Sequence, residues 1–556
     1  MLLLLLLARI LMVHGDERPM TVQMPLGAVE GIDEEFLGKR VHSFLSVPFA
    51  EPPIGEGRFR RPKVKKAWKG TLKTTTLSPA CYQPRDTYNT SFWGSEMWNH
   101  NTPVSEDCLY LNIWTPGNNT TNHTVMVWIY GGGFYYGSPS LILYDGKALA
   151  VTGDVIVVNI NYRVGAFGFL YYDHDEQLAL NWIKDNIYYF GGNPDRITLF
   201  GESAGASSIV AHMIAPGSRD LFSNGILQSG ALDNMWAMDT PRRAKNKSLS
   251  LANLVGCNRT RIGDTIKCMR DVDPRQLIDN IWSVDGLRFL EFPFVIVSQD
   301  RNFFRHKDAF VALHEGDFRP DINIMIGINR DEGNFWNIYN FKDLFDKAEQ
   351  PLLTREQFHN CVDTAFAAMP LVVNQMVGDY YFTCDSLWMA DKLNERRNGA
   401  AKHGKVYIYH FNQESPANPW PKWTGIMHAY EIEFVFGVPL YNETAGYDGR
   451  DRNFTRKIIE YWTSFASTGV PKLQRNRSNA NAWPAYGSAK KQWMSLKEGS
   501  HSRSIPAMKQ VECSLWRHEK DSEYSAYLVE KQKASLSSSP SLNSFIFTAI
   551  ALFIFR

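Results

Sequence analysis

Apolar residues in this chain gather in short, nearly unbroken runs set between polar, glycine-bearing turns. Residues 125–130, 155–161 and 196–200 are three such runs, and 225–228, 322–328 and 406–411 continue the series. A run that is apolar at nearly every position, rather than at every second one, predicts a strand buried on both faces. Residues 177–190 instead follow the helical period and stop at Gly191-Gly192, and 206–215 read as a second helix. Buried strands alternating with helices predict an α/β fold. Its core is a large, mostly parallel central sheet covered by helices on both faces.

The two ends break this pattern. Residues 2–7 and 10–13 are apolar but too short to span a bilayer, and they read as a secretory signal peptide removed near Gly15. At the other end, 531–543 are rich in serine and 545–555 are continuously apolar. Small residues, a polar spacer and a short apolar tail match a glycosylphosphatidylinositol (GPI) anchor signal better than a spanning helix. The expected organisation is a signal peptide over 1–15, one folded domain over 16–530, and a spacer with anchor signal over 531–556.

Composition adds limits. The 556 residues are 44% apolar and 21% charged, which suits one large globular core. A net charge of +1, with both signs interspersed, points away from nucleic acid. Export predicts disulfides among the seven cysteines, and an odd number leaves one over; spacing alone does not fix the pairing. Glycosylation sequons at Asn89, Asn118, Asn119, Asn122, Asn246, Asn258, Asn442, Asn453 and Asn476 agree with export.

The candidate chemistry starts at Gly201-Glu202-Ser203-Ala204-Gly205, between the 196–200 strand and the following helix. A serine flanked by glycines at a strand-to-helix turn is a nucleophile elbow: the tight turn pushes the hydroxyl out of the sheet. Such a serine needs oxyanion donors, and Gly131-Gly132-Gly133 after the 125–130 strand lets backbone N–H groups come close. It also needs a base and an acid to orient that base. Asp331 and Glu332 both follow the 322–328 strand, and His428 is one of fourteen histidines, so spacing alone leaves both choices open.

At these residues the chain resembles the type-B carboxylesterase family, and within it the cholinesterases that hydrolyse acetylcholine. The likeness is carried by residues 106–112 (Glu-Asp-Cys-Leu-Tyr-Leu-Asn), 162–170, 190–205, 329–333 and 428–436, and runs from about 26 to 516. The resemblance implies an α/β-hydrolase fold, a Ser203–Glu332–His428 triad, and an oxyanion hole of Gly132, Gly133 and Ala204. It implies disulfides Cys81–Cys108, Cys257–Cys268 and Cys384–Cys513, with Cys361 as the odd thiol. Choline would be held by Trp98, Glu202, Phe335 and Tyr430, because a quaternary ammonium has no hydrogen to donate and is best met by aromatic faces and a nearby negative charge. Leu290, Phe292 and Trp336 would border the acyl group, and Tyr144 would line the approach. Asp86, Tyr135, Trp282 and Tyr339 would form an outer cation site.

The family likeness also implies a cationic ester substrate, no cofactor or metal, a synaptic location for an acetylcholine-cleaving member, and a homodimer for self-association, while the anchor signal of 531–556 places the protein on the extracellular face of the plasma membrane. Four departures stand out. The segment 171–177 is about ten residues shorter than in relatives, a change that is cheap in loop entropy but removes packing beneath the elbow helix. Ala429 replaces the usual glycine after the histidine, Leu290 stands where vertebrate members use phenylalanine, and Pro84 replaces an aromatic. Two rival readings remain: a catalytically silent surface or adhesion protein, favoured by the short segment, and a general carboxylesterase without a choline site.

Overall fold

The computed structural model describes residues 17–118, 120–171, 178–305, 307–345, 353–365, 373–395, 404–473, 483–487, 490–499 and 503–537. The signal region, the shortened segment beyond Tyr171, Asn119, Asn476 and the apolar tail lie outside these residues.

Twelve described strands follow one another across a single sheet, and Thr71–Lys73 pairs onto β2 beside that path. They are β1 (Arg18–Met24), β2 (Gly27–Phe36), β3 (Lys39–Pro48), β4 (Tyr110–Pro116), β5 (His123–Ile129), β6 (Ile156–Ile160), β7 (Gly192–Glu202), β8 (Asn224–Gln228), β9 (Asn323–Asn329), β10 (Val406–Phe411), β11 (Gln492–Leu496) and β12 (Arg503–Pro506). The order in space is β1-β2-β3-β4-β6-β5-β7-β8-β9-β10-β11-β12. From β6 to β11 every neighbouring pair is parallel. The flanks are antiparallel. The expected parallel sheet is therefore present, extended at both edges by antiparallel strands.

Helices cover the sheet, among them α1 (Leu178–Asn186), α2 (Ala204–Ile214), α3 (Pro241–Leu254), α4 (Gly333–Asn340) and α5 (Gly449–Thr468). Every residue of β5, β6 and β8 is buried, as expected of strands covered on both faces. Trp128 of β5 packs on Phe200 of β7 at 4.9 Å between ring centroids and on Phe436 at 5.0 Å. The long helix α5 opens with a capping box at Asp448 and Asp451 and ends at Gly469 in the left-handed region.

Cys81–Cys108 and Cys257–Cys268 are bridged, Cys384 and Cys513 are also disulfide-bonded, and Cys361 is free and buried. Residues from 508 onward form a second unit, whose described part is one helix, α6 (Gln510–Ser537). It includes the first residues of the serine-rich segment. None of the described helices is long and apolar enough to cross a membrane. Of the sequon asparagines, Asn118, Asn122, Asn246, Asn258 and Asn453 are exposed, while Asn89 and Asn442 are half-buried.

Candidate active site

Parallel strands bring their carboxyl ends to one edge of the sheet, and side chains presented there share a crevice. β7 ends at Glu202, and Ser203 follows with φ 55° and ψ −119°, a strained conformation for a residue with a side chain. The strain is held from both sides. Ser203 N–H donates to Gln228 O at 2.8 Å, and α2 begins at the next residue. A Cβ at Gly205 would lie 1.9 Å from Ile129 O, so only glycine lets the elbow press this close to β5.

The glycine loop leaves β5 beside the elbow. Gly133 has φ 55°, and a Cβ there would meet the Phe292 ring at 2.8 Å. Among the described residues, the N–H groups of Gly132, Gly133 and Ala204 donate no hydrogen bond. They are available to a ligand oxygen, and Ala204 is at the start of a helix, where N–H groups are ordinarily unpaired.

Glu332 follows β9, and His428 lies on the loop after β10. His428 Nδ1 is 2.7 Å from Glu332 Oε2. Glu332 Oε1 accepts from Ser229 Oγ at 2.6 Å and from Asn329 N–H at 2.7 Å, which fixes the carboxylate against the imidazole. Asp331, its rival by spacing, turns away to pair with Arg330 at 2.8 Å and to accept from Ile426 N–H.

His428 Nε2 lies 2.9 Å from Glu202 Oε1, yet both atoms are buried without an in-line hydrogen bond. Burial acts to lower the pKa of His428, but Glu202 and Glu332 outweigh it and push it up to about 10. Burial also raises Glu202 and takes Glu431 up to about 7. Glu431 is held by Gln228 at 2.9 Å and Asn329 at 2.6 Å.

A pocket of about 440 Å³ joins these groups. It is lined by Ser203, His428, Glu202 and the glycine loop together with Trp98, Tyr136, Tyr144, Phe335 and Trp336. Trp336 lies 5.5 Å from the His428 ring and stacks on Phe382 at 5.7 Å. Phe292 bridges Trp336 at 6.0 Å to Tyr135 at 5.6 Å, and Tyr135 meets Trp282 at 4.8 Å. Tyr339 donates to Asp86 at 2.7 Å and packs on Phe335 at 4.7 Å. Leu290 is buried with φ 54°. Tyr430 is not among the walls: its hydroxyl accepts from Ser415 N–H at 2.9 Å and its ring lies by Phe434.

A model of the carboxylesterase family matches residues 18–372 and 367–516. The chain belongs to the carboxylesterase family, in its cholinesterase branch. This carboxylesterase is 52% identical to acetylcholinesterase 4 of Caenorhabditis briggsae over 563 residues, covering 93% of this chain and 92% of that protein. It is 37% identical to acetylcholinesterase of Bungarus fasciatus, covering 93% and 89%, and 35% identical to cholinesterase of Mus musculus, covering 90% and 87%. It is a carboxylic ester hydrolase.

Sequence reasoning missed Ser229, Glu431, Tyr136 and Phe382. Ser229 carried a usable signal, since Gln228-Ser229 is a polar pair ending an otherwise apolar strand. Phe382 carried none. It comes from a helical segment remote from every motif.

Proposed function

We propose that this carboxylesterase hydrolyses acetylcholine or a closely related choline ester through an acyl-enzyme. Ser203 Oγ attacks the ester carbonyl while His428 Nε2 takes its proton, and Glu332 orients the imidazole and stabilises its positive charge. The tetrahedral oxyanion is met by the N–H groups of Gly132, Gly133 and Ala204. His428 then gives the proton to the departing choline oxygen. Water repeats the sequence on the acetyl-serine and releases acetate. The quaternary ammonium rests on Trp98 with Glu202 beside it.

The observation that carries this reading is the shared pocket, in which Trp98 and Glu202 border the same space as Ser203 and His428. A quaternary ammonium has no hydrogen to donate and is best met by an aromatic face with a negative charge nearby, which Trp98 and Glu202 together offer. Its relatives, two acetylcholinesterases and a cholinesterase, support the same substrate class. Ser203→Ala should abolish acetylthiocholine hydrolysis and fluorophosphonate labelling while leaving secretion unchanged; turnover that persists would end the assignment.

The apolar start, the sequons and the serine-rich segment with its apolar tail support export and a lipid anchor at the extracellular membrane face. Phosphatidylinositol-specific phospholipase C should release the protein from cells. Release by detergent alone would mean that the tail is retained.

A further inference from the structure

The turn at residues 290–292 has an unusual support. Leu290 is in the left-handed region at φ 54°, where side-chain-bearing residues are uncommon, so the turn has to be held from outside. The hold comes from one face of α3. That helix is capped by Thr240 and started by Pro241. Arg243 and Lys247 are four apart and lie along one stripe of the helix, and Asp239, just before its cap, pairs with both. Lys247 Nζ, buried, donates to the Phe292 carbonyl at 2.9 Å and to Asp239 Oδ2 at 2.7 Å. Arg243 Nη2 reaches Glu291 Oε2 at 2.6 Å, and its Nε is 3.4 Å from Asp239 Oδ1. Glu291 Oε2 also accepts from Arg288 N–H at 3.0 Å, which closes the turn on itself. Downstream, Ile296–Val297 pairs in parallel with Met238–Asp239, so the same segment that starts α3 also fixes the exit from the turn.

The ring that this support controls is Phe292. It lies against Gly133 of the glycine loop, with Trp236 at 5.9 Å and Trp336 at 6.0 Å around it. A shift of the turn would move the ring toward or away from the space in front of Ser203.

We propose that Arg243 and Lys247 are positioning residues for acyl specificity: by gripping Glu291 and the Phe292 carbonyl they hold the Phe292 ring at a depth that admits a short acyl chain and excludes a longer one. The inference rests on the reading of Leu290 and Phe292 as neighbours of the acyl group. Neither basic residue touches substrate. Their effect is on where Phe292 stands.

The test measures kcat/KM for phenyl acetate and phenyl butyrate, and for acetylthiocholine and butyrylthiocholine, on the full-length protein and on Arg243→Gln, Glu291→Gln and Arg243→Lys. Thermal midpoints are read on each variant. A paired Asp239→Asn, Lys247→Met variant removes the second grip without leaving a lone buried charge. In Arg243→Gln and Glu291→Gln the acetyl-to-butyryl ratio should fall about tenfold, mainly through faster butyryl turnover, because a pocket discriminates one or two methylenes by tens-fold. Arg243→Lys, which keeps the charge, should recover most of the ratio. A folded variant whose ratio is unchanged, or whose two rates fall equally, overturns the proposal. If Arg243→Gln does not fold, the near-isosteric Glu291→Gln decides. Phenyl esters carry no cation, so an enzyme with no preference for thiocholine esters would overturn the choline reading while the phenyl-ester ratio still decides this one.

Discussion

Glu202→Gln should move the acid limb of the pH profile downward. His428 Nε2 must be unprotonated to take the Ser203 proton, so the rate rises with pH as the imidazolium loses its proton. In the folded enzyme that pKa is pushed up to about 10, with burial opposing and two carboxylates prevailing. Glu202 is the closer to Nε2, at 2.9 Å. At an effective dielectric of about 20, unit charges at that distance attract by 332/(20 × 2.9), about 6 kcal/mol, or about 4 pKa units. The full value is not reached, because burial raises Glu202 as well and the two groups titrate as a coupled pair. A fall of about 1–3 units is therefore expected when the carboxylate becomes an amide.

The assay is kcat/KM for phenyl acetate against pH. An uncharged ester keeps the loss of a charge beside the choline site out of the measurement. An acid limb that stays put, or moves up, refutes the argument. Stability gives a second reading. His428 has a folded pKa above its unfolded value of 6.5, so its contribution is fully present below 6.5 and is lost as pH rises toward about 10. Glu202 and Glu431, raised above 4.5, act in the same sense, since the folded state binds the extra proton. The thermal midpoint should decline over this range in the parent enzyme and decline less in Glu202→Gln.

Two further outcomes follow from single residues. Trp98→Ala should reduce kcat/KM for acetylthiocholine more than for its uncharged carbon isostere, by about 1–2 kcal/mol or roughly tenfold, and equal losses would make Trp98 a packing residue. Ala429→Gly should leave the thermal midpoint level or raise it, because relief of about 1–2 kcal/mol of left-handed strain at φ 67° offsets about 0.4–1 kcal/mol of added unfolded-chain entropy; a clear fall refutes the strain.

The strands most legible in the sequence are those buried on both faces. The run at 406–411 matches β10, and 322–328 differs from β9 by one residue at each end. β1 to β3 were not read. In β1 only Val22 and Met24 are buried, and an alternating, half-exposed strand gives no continuous apolar run. The span 177–190 reads as one helix but ends as α1 followed by a tighter turn over Ile187–Phe190, closed by Gly191 at φ 86°. α2 begins at Ala204 rather than 206, because the elbow needs Gly205 inside the helix, where propensity disfavours it.

The site divides along the same physical line. Backbone requirements leave marks in sequence, since only glycine fits at 205 or 133, and those positions were legible without any relative. Choices between side chains leave none. Asp331 and Glu332 are adjacent, and what separates them is the direction of the turn after β9, where Asn329 N–H captures Glu332 Oε1 and Ile426 N–H captures Asp331. Sheet order does the rest. The glycine loop, Ser203, Ser229, Glu332 and His428 follow β5, β7, β8, β9 and β10, which are successive neighbours in the sheet. Parallel register thus brings His428 within hydrogen-bond reach of a glutamate 96 residues earlier in the chain. The register is fixed by packing, because a slip of one residue would carry every side chain to the opposite face of the sheet. Of the twelve described side-chain-bearing residues with positive φ, two line the pocket, Ser203 with φ 55° and Ala429 with φ 67°. Both residues flank the pocket, so the rigidity of the sheet is what keeps two disfavoured backbone conformations in place beside the reacting atoms.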